Sequence, residues 1–384
     1  MIESALKQEF LEKFGEEPVV IKSPGRINII GEHTDYNDGF VLPAAIDKAA
    51  YLAVSLRQDD SFHLIAQDLN EDYIVRLSDL KPVLEVGWPN YLLGVVAQFI
   101  KKGVEVKGLN MMLSSNVPIG AGLSSSAAVE CATAMALNEL YKTGYDKIEL
   151  VKMAQKAEHE YAGVMCGIMD QFASMMGKKD HLIKLDCRSL EYEYVPLKME
   201  GLRIVLLNTN VHHSLATSAY NTRRNECKQA VEWVKEGEPT VQALRDVNEA
   251  MLDKYVLPKD ALIDKRSRFV VREIERLQLG CIDLFEGNIE ALGKKMFATH
   301  DGLSHDYDVS CPELDFLVDA VRNNPAVVGS RMMGGGFGGC TINLVKEEAI
   351  DDLIASMKPL YEEKMNLPLT AYIATIENGT EMIG

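Results

Sequence analysis

Residues 118–140 place a run of glycine and serine directly before a long apolar stretch. Glycines let the backbone turn tightly and approach a ligand, and the apolar stretch predicts a helix. A helix beginning there offers free N–H groups and a positive dipole end, to which the hydroxyls of Ser124, Ser125 and Ser126 add. The pattern favours a polyphosphate site, in which a serine could also ligate Mg²⁺. It is not a Walker A loop, because no Gly-Lys-Ser/Thr follows; a serine-capped helix after a flexible loop is the alternative.

Length, composition and charge exclude several classes of protein. The chain has 384 residues, 47% hydrophobic and 25% charged, as expected of a globular protein with two domains. Its net charge of −17 disfavours nucleic acids and anionic membranes as partners. No apolar stretch approaches the ~18 to 20 residues that span a bilayer, and residues 1–18 resemble an amphipathic helix rather than a signal peptide. Seven scattered cysteines without a C-x-x-C pair predict reduced thiols and a cytoplasmic protein.

The alternation of strand-like and helix-like segments predicts an α+β protein. A polar segment at 187–201 is the candidate boundary, which divides the chain into domains 1–195 and 196–384. Predicted strands cover 19–22, 27–30, 50–56, 62–66, 73–77, 108–114, 181–185, 202–208, 340–346 and 369–376. Predicted helices cover 1–18, 90–100, 148–162, 215–235, 259–280, 283–298 and 312–323, and in 118–140 a glycine-rich turn leads into a long apolar helix.

A second glycine cluster at 333–340 formally contains the pattern G-x-G-x-x-G. A dinucleotide-binding fold needs a strand before this pattern and a helix after it. Because the following residues predict a strand, we reject that interpretation. The cluster indicates a close backbone approach to a ligand or to another loop, or simply a tight turn.

The segment 31–38 crowds three carboxylates and a histidine into one short run. The spacing of Glu32, His33 and Asp35 matches no zinc pattern. Carboxylates also suit sugar hydroxyls, since each oxygen accepts charge-assisted hydrogen bonds, and so acidic a site favours a neutral polyol. A solvated turn remains the alternative.

A third candidate, Asp170, follows two glycines that lie beyond a predicted helix containing Glu158. Gly163 and Gly167 could deliver its carboxylate into a cleft, where it would act as a base or a metal ligand. The alternative is an aspartate that caps a helix.

Taken together, these motifs resemble those of the GHMP small-molecule kinases, and residues 25–43 resemble the sugar signature of the galactokinases among them. The serine run at 118–128 is similar to the phosphate motif of that superfamily, and 333–340 to its third motif. Residues 167–171 and 218–227 also match. The resemblance therefore extends from about residue 20 to 345.

The resemblance implies a two-domain fold, with an N-terminal domain like ribosomal protein S5 domain 2 beside a ferredoxin-like C-terminal domain and the site between them. It implies ATP-dependent phosphorylation of the anomeric hydroxyl of α-D-galactose, the first committed step of galactose catabolism (the Leloir pathway). Galactose, ATP and Mg²⁺ would be the small-molecule partners, and the protein a monomer or weak oligomer.

The resemblance also assigns roles to individual residues. Asp170 would face the anomeric hydroxyl as base, and Arg26 would keep it ionised and stabilise the transferring phosphoryl group. The sugar would be held by Glu32, His33, Thr34, Asp35, Gly167 and Tyr220. The ATP phosphates would lie against Gly120, Ala121, Gly122, Leu123, Ser124, Ser125 and Ser126, the adenine near Trp88 and Tyr91, and Mg²⁺ on Ser126 and Glu158.

Two alternatives stay open. One is an N-acetylgalactosamine kinase or another GHMP sugar kinase, because the shape of the pocket is not readable from sequence. The other is a galactokinase-like regulator that binds sugar and ATP without catalysis; the intact serine run and Asp170 argue against it.

Overall fold

The computed structural model describes residues 2–84, 86–197, 200–211 and 216–383. The strands are β1 Val19–Asn28, β2 Phe40–Val41, β3 Pro43–Leu56, β4 Ser61–Ala66, β5 Glu71–Arg76, β6 Leu109–Ser115, β7 His181–Asp186, β8 Tyr192–Pro196, β9 Leu202–Asn208, β10 Val327–Met332, β11 Cys340–Lys346, β12 Thr370–Ala374 and β13 Glu381–Met382. The helices are α1 Ile2–Phe14, α2 Pro89–Lys101, α3 Ser125–Tyr141, α4 Lys147–Ala157, α5 Met169–Met176, α6 Ala216–Lys235, α7 Glu249–Tyr255, α8 Ala261–Phe285, α9 Ile289–Asp301, α10 Pro312–Val321 and α11 Ile350–Met365.

Three sheets organise these elements. A six-stranded sheet has the order β13-β1-β3-β6-β4-β5, with β4 and β6 parallel and the other pairs antiparallel. Apolar faces of α2, α3, α4 and α5 pack with this sheet in one buried cluster. An antiparallel four-stranded sheet, β10-β11-β9-β12, belongs to the second half of the chain, and β2-β7-β8 forms a small third sheet. The mixture of sheets and helices confirms the α+β prediction.

Several predicted boundaries were wrong for identifiable reasons. The two predicted strands at 19–22 and 27–30 are one strand, β1, which continues through Pro24 because a register shift between Pro24 and Arg26 accommodates the proline. Strand β3 begins at Pro43 rather than at residue 50. The prediction missed its first half because that half is rich in alanine and carries few β-branched residues, so it lacks the usual composition of a strand. The helix predicted over 148–162 ends as an α-helix at Ala157 and continues as a π-helical turn.

Other elements escaped the sequence patterns altogether. Helix α11 contains Pro359, which normally argues against a helix interior. Strand β8 lies inside the polar segment 187–201, which was predicted as the domain boundary. Residues 198 and 199 of that segment lie outside the described part of the chain. Residue 215 of the predicted helix 215–235 also lies outside it. The remaining unpredicted elements are α5, α7, β2, β10 and β13.

The C-terminal tail returns to the first sheet. Strand β13 pairs with β1, aligning Met382 with Ile21. The buried hydroxyl of Thr380 lies 2.8 Å from that of Ser23 and donates to the carbonyl of Ser174 at 2.9 Å. The predicted division of the chain after residue 195 stays a prediction. The C-terminal tail lies beyond that division, but it belongs to the N-terminal sheet because β13 pairs with β1.

All seven cysteines are free thiols. Among the described helices, none combines the length and apolar character needed to cross a membrane.

Candidate active site

A cleft of about 400 Å³ lies where the N-terminal sheet, the serine run and the second glycine cluster meet. This volume suits a small-molecule ligand. The walls bring together residues from six separate stretches of the chain. They are Arg26, Glu32, His33 and Asp35; Tyr91; Pro118–Gly120 and Gly122–Ser126; Glu158, Val164, Cys166, Gly167, Met169 and Asp170; and Tyr220 with Gly334–Phe337.

Arg26 and Asp170 form an ion pair at the centre of the cleft. Nε of Arg26 donates to Oδ1 of Asp170 at 2.7 Å and Nη2 donates to Oδ2 at 3.0 Å, and the hydroxyl of Ser124 donates to Oδ2 at 2.6 Å. Burial opposes the charge of Arg26, but Asp170 and the other nearby carboxylates outweigh burial and raise the guanidinium pKa. Asp170 is the second residue of α5, yet no side-chain cap bond forms at this helix start. The helix-capping alternative was therefore wrong, and the carboxylate faces the cleft.

The strand bulge positions Arg26. The backbone N–H of Arg26 donates to the carbonyl of Leu123 at 3.1 Å, and Nη1 donates to the carbonyl of Gly122 at 2.5 Å. A Cβ at Gly25 would lie 2.6 Å from the Leu123 oxygen, so only glycine allows β1 to lie this close to the serine run. The local sequence Pro24-Gly25-Arg26 thus connects the ion pair to the loop at 120–124.

Glu32 is a buried carboxylate held by the second half of the chain. Its Oε1 accepts from Nη2 of Arg331 and from the backbone N–H of Gly334, both at 3.0 Å. The neighbouring Thr34 turns away from the cleft, and its hydroxyl contacts the carbonyls of Gly31 and Phe40. Among the residues predicted for sugar binding, Thr34 therefore supports the turn rather than lining the cleft.

Asp35 lies against the backbone of Gly167. Burial, followed by the charge of Asp170, raises the pKa of Asp35 to about 6, against a backbone hydrogen bond from Tyr36 that lowers it. Its carboxylate consequently loses its charge as the pH falls through that value. A Cβ at Gly167 would lie 1.8 Å from Oδ2 of Asp35, so a side chain at 167 would displace this carboxylate.

His33 sits in a left-handed backbone conformation, with φ of 62°, and its ring is buried among aromatic side chains. Its Nδ1 lies 2.7 Å from the hydroxyl of Tyr36, and the ring centroid lies 5.4 Å from that of Tyr220. Burial, reinforced by Arg223 and Arg331, lowers the His33 pKa to about 3, although a backbone contact with Gly335 opposes the shift. The imidazole is therefore neutral near pH 7.

The serine run forms a turn that opens onto the start of α3. Gly120, Gly122 and Ser124 all adopt positive φ angles, which fold the loop around the first turn of the helix. Ser125 and Ser126 begin α3 and line the cleft, whereas Ala121 is fully buried beneath the loop. The first N–H groups of a helix have no partner within the helix and can bind an anion. The phosphate site at this helix start stays a prediction.

The second glycine cluster packs directly against this loop. A Cβ at Gly339 would lie 3.2 Å from the carbonyl of Ala121, and one at Gly334 would lie 3.3 Å from the oxygen of Gly122. The cluster connects β10 and β11, so a strand follows it and no dinucleotide-binding helix is present there. Its predicted close approach to another loop is confirmed.

Glu158 opens the π-helical turn and reaches the cleft beside Ser126. Burial and the charge of Asp170 raise its pKa to about 7, although hydrogen bonds from Cys166, Ser126 and Gln171 oppose this. Nε2 of Gln171 donates to Glu158 at 2.6 Å and to Glu130 at 3.0 Å. In the described residues, no group of three or more His, Cys, Asp or Glu side chains could hold a metal ion on its own.

The structure separates the two aromatic residues that the resemblance placed near the adenine. Tyr91 lines the cleft. Trp88 precedes α2, does not line the cleft, and donates from its indole nitrogen to Glu71 at 2.7 Å. Trp88 lies just before the first residue of α2, so the spacing of residues along that helix does not place its side chain beside that of Tyr91.

Helix α6 holds the loop that carries Gly167, a contact that the sequence reasoning missed. Asn221 accepts from the N–H of Met165 at 3.2 Å, and Arg224 donates to the carbonyls of Met165 and Cys166. Tyr220, Asn221 and Arg224 share one side of the helix at spacings of three and four residues. This helical spacing was the sequence signal that could have revealed the contact between α6 and the loop.

Comparisons with known proteins agree with this geometry. The model of the galactokinase galactose-binding signature matches residues 8–56, and those of the GHMP kinase N-terminal and C-terminal domains match 90–178 and 281–362. Galactokinase of Thermotoga maritima is 42% identical over 363 residues, covering 94% of this chain and 99% of that protein. Galactokinase of Bacillus subtilis is 42% identical over 380 residues, covering 97% of each. The chain belongs to the galactokinase family.

Solved structures support the same assignment. The galactokinase of Lactococcus lactis, crystallised with galactose, superposes with a TM-score of 0.94 at 34% identity and covers the whole of both chains. Mevalonate kinase of Methanococcus jannaschii, at 20% identity and a TM-score of 0.64, shares the fold. The expected two-domain α+β fold of the GHMP kinases is confirmed.

The contact between Asp35 and Gly167 can be tested in this galactokinase-family chain by changing Gly167 to alanine. We expect Gly167→Ala to lower the free energy of unfolding by about 1–3 kcal/mol, because the methyl group must push the buried carboxylate aside. Urea unfolding measures the change. Gly87→Ala is the matched control, since a Cβ at Gly87 meets no atom within 4 Å. Equal stability of the two variants would contradict the contact.

Proposed function

We propose that this protein is an ATP-dependent sugar kinase that transfers the γ-phosphoryl group to the anomeric hydroxyl of α-D-galactose, giving galactose 1-phosphate and ADP. The observation that carries the proposal is the position of Asp170. Its carboxylate, held by Arg26 and Ser124, lies between the acidic turn at 32–35 and the loop at 120–126. A sugar on one side and a polyphosphate on the other would meet at this residue.

The acidic side of the cleft suits a polyol. Glu32 and Asp35 offer carboxylate oxygens to sugar hydroxyls, and charge-assisted bonds of this kind are short and directional. His33, the backbone at Gly167 and the ring of Tyr220 complete the wall. The galactose complex of the Lactococcus lactis relative supports galactose as the sugar.

The loop side suits the phosphates of ATP. Residues 120–126 place backbone N–H groups and serine hydroxyls at the start of α3, where the helix dipole favours anions. Mg²⁺ would be held by Ser126 and Glu158. Two hard oxygen ligands fit an ion that takes its remaining ligands from phosphate and water, and the raised pKa of Glu158 marks a buried carboxylate that a cation would stabilise as the anion. Bound there, Mg²⁺ supplies charge neutralisation to the phosphates.

The chemistry depends mainly on charge and position, since phosphoryl transfer passes through a loose transition state. The anomeric hydroxyl is a weak nucleophile at pH 7, so a carboxylate in hydrogen-bond reach assists by accepting its proton or by orienting its oxygen. Among the residues that the structure describes, Oδ1 of Asp170 accepts only from Nε of Arg26 and therefore retains a lone pair for this purpose. Arg26, buried and charged, counters the negative charge that collects on Asp170 and the phosphoryl oxygens.

The substrate is tested by measuring ADP release in a coupled assay with galactose, N-acetylgalactosamine, glucose and mevalonate. We expect galactose to give the highest kcat/KM, with the product phosphorylated on the anomeric oxygen. A preference for N-acetylgalactosamine would select a kinase for the N-acetylated sugar. An absence of turnover with every sugar would overturn the proposal in favour of a regulator that only binds.

The role of Asp170 is tested by Asp170→Asn. We expect kcat to fall about 10²- to 10⁴-fold, the range of general base catalysis, while calorimetry still detects galactose binding. Asp59→Asn is a control, because Asp59 pairs with Arg57 on the surface and does not line the cleft. An unchanged kcat in Asp170→Asn would remove Asp170 from this role.

A further inference from the structure

A glutamine lies directly behind the cleft, one residue after Asp170. Gln171 is the third residue of α5 and is fully buried. Its amide nitrogen serves two carboxyl groups, since Nε2 donates to Oε2 of Glu158 at 2.6 Å and to Oε2 of Glu130 at 3.0 Å. Consecutive residues of α5 therefore hold the ion pair with Arg26 and the two buried glutamates.

Helix α3 holds Gln171 at two points. The carboxyl group of Glu130 accepts from its side chain, and the thiol of Cys131 donates to its backbone carbonyl at 3.4 Å. Glu130 is fully buried and follows Ser126 by four residues, so these two side chains lie on the same side of α3, one turn apart. The helix that places Ser126 at the cleft therefore also fixes the amide of Gln171.

The hydrogen bonds of Glu158 to its buried neighbours involve one of its two oxygens. Oε2 accepts from Nε2 of Gln171 and from Sγ of Cys166, the latter at 3.3 Å. Neither bond involves Oε1, and Glu158 lines the cleft beside Ser126. A carboxylate held at Oε2 in this way keeps Oε1 available to a cation.

The amide of Gln171 is only half satisfied. Within the described residues, its Oε1 is buried without a hydrogen-bond partner, as is Oε1 of Glu130. A buried polar group without a partner costs free energy, which an apolar side chain of similar length would avoid. Packing alone therefore does not account for a glutamine at this place, and its N–H groups are the part of the side chain that forms bonds.

We infer that Gln171 is a positioning residue of the magnesium site: its amide, anchored by Glu130, holds Oε2 of Glu158 so that the carboxylate presents its other oxygen to Mg²⁺. The inference rests on the proposed function, in which Ser126 and Glu158 hold the ion. Gln171 does not line the cleft, so it acts only through Glu158. Hydrogen bonds to a ligating carboxylate fix its orientation, and the loss of such a bond typically lowers metal affinity about 10- to 100-fold.

Gln171→Met tests the inference without turnover, through ADP binding measured by calorimetry once in EDTA and once with saturating Mg²⁺. By linkage, the ratio of the two ADP affinities changes in proportion to the Mg²⁺ affinity of the ADP complex. We expect this ratio to fall about 10- to 100-fold in Gln171→Met, while ADP affinity in EDTA stays within about twofold of that of the unaltered protein. An unchanged ratio would overturn the inference.

Gln98→Met is the matched control. Gln98 is also a buried glutamine, and its Nε2 donates at 2.7 Å to Glu160, which lies on the same π-helical turn as Glu158. Neither Gln98 nor Glu160 lines the cleft, so we expect this variant to keep the ratio of the unaltered protein. A fall as large as that in Gln171→Met would show that any disturbance of the turn weakens Mg²⁺ binding, and it would overturn the specific role of Gln171.

Glu130→Met keeps the test decisive if Gln171→Met does not fold. This variant leaves Gln171 in place but removes the acceptor that anchors its amide, and it puts an apolar side chain of similar length in the buried position. We expect the ratio of ADP affinities to fall about fivefold, as for one lost hydrogen bond. The same ratio as in the unaltered protein would contradict the inference.

Glu158→Gln separates this inference from the proposed function. If the ratio falls in Glu158→Gln but not in Gln171→Met, the magnesium site stands and only the role of Gln171 is overturned. If the ratio changes in neither variant, the proposed ligand Glu158 is wrong, and the inference falls with it. Neither result depends on which sugar the protein phosphorylates, because no sugar is present.

Discussion

Arg331 fixes the turn on which the acidic side of the cleft is built. Its side chain is fully buried and comes from β10 in the second half of the chain, yet it donates to the carbonyls of Asn28 and Ile29 at 2.5 and 2.8 Å. The same guanidinium donates to Glu32. A planar fork with five N–H donors can satisfy several acceptors at fixed angles, which a lysine cannot do. The position of Glu32 is therefore set by a residue about 300 positions away.

Glu273 holds the same turn from helix α8. It accepts from the backbone N–H of Gly31 at 3.0 Å and from the hydroxyl of Thr299 at 2.9 Å. Gly31 has a φ of 95°, and a Cβ there would lie 2.3 Å from Leu277, so the turn can form only with glycine at this place. Arg331 and Glu32 form a buried ion pair, and breaking such a pair leaves an uncompensated charge that costs about 3–5 kcal/mol. Arg331 and Glu273, both from the second half of the chain, therefore hold the turn at residues 28–32 beneath the sugar side of the cleft.

The sequence predicted the features that depend on local chemistry. Loop 120–126 needs glycine and serine before a helix, and Asp170 follows a glycine-rich stretch, so both could be recognised without a structure. Contacts between distant residues could not be predicted in this way. Arg331 precedes the glycine cluster on a strand that the pattern did not reveal. The side chains of Thr34 and Trp88 bond to Phe40 and Glu71 instead of lining the cleft, and no periodicity or motif in the sequence marks those two acceptors.

The most direct test of this account is galactose and ATP binding to Arg331→Lys, measured by calorimetry on protein shown to be folded. Lysine keeps the charge but cannot hold two carbonyls and Glu32 together. The account predicts that galactose affinity falls about 10- to 100-fold, as for one or two lost charge-assisted hydrogen bonds, while ATP affinity stays within about twofold. Galactose affinity equal to that of the unaltered protein would contradict the account.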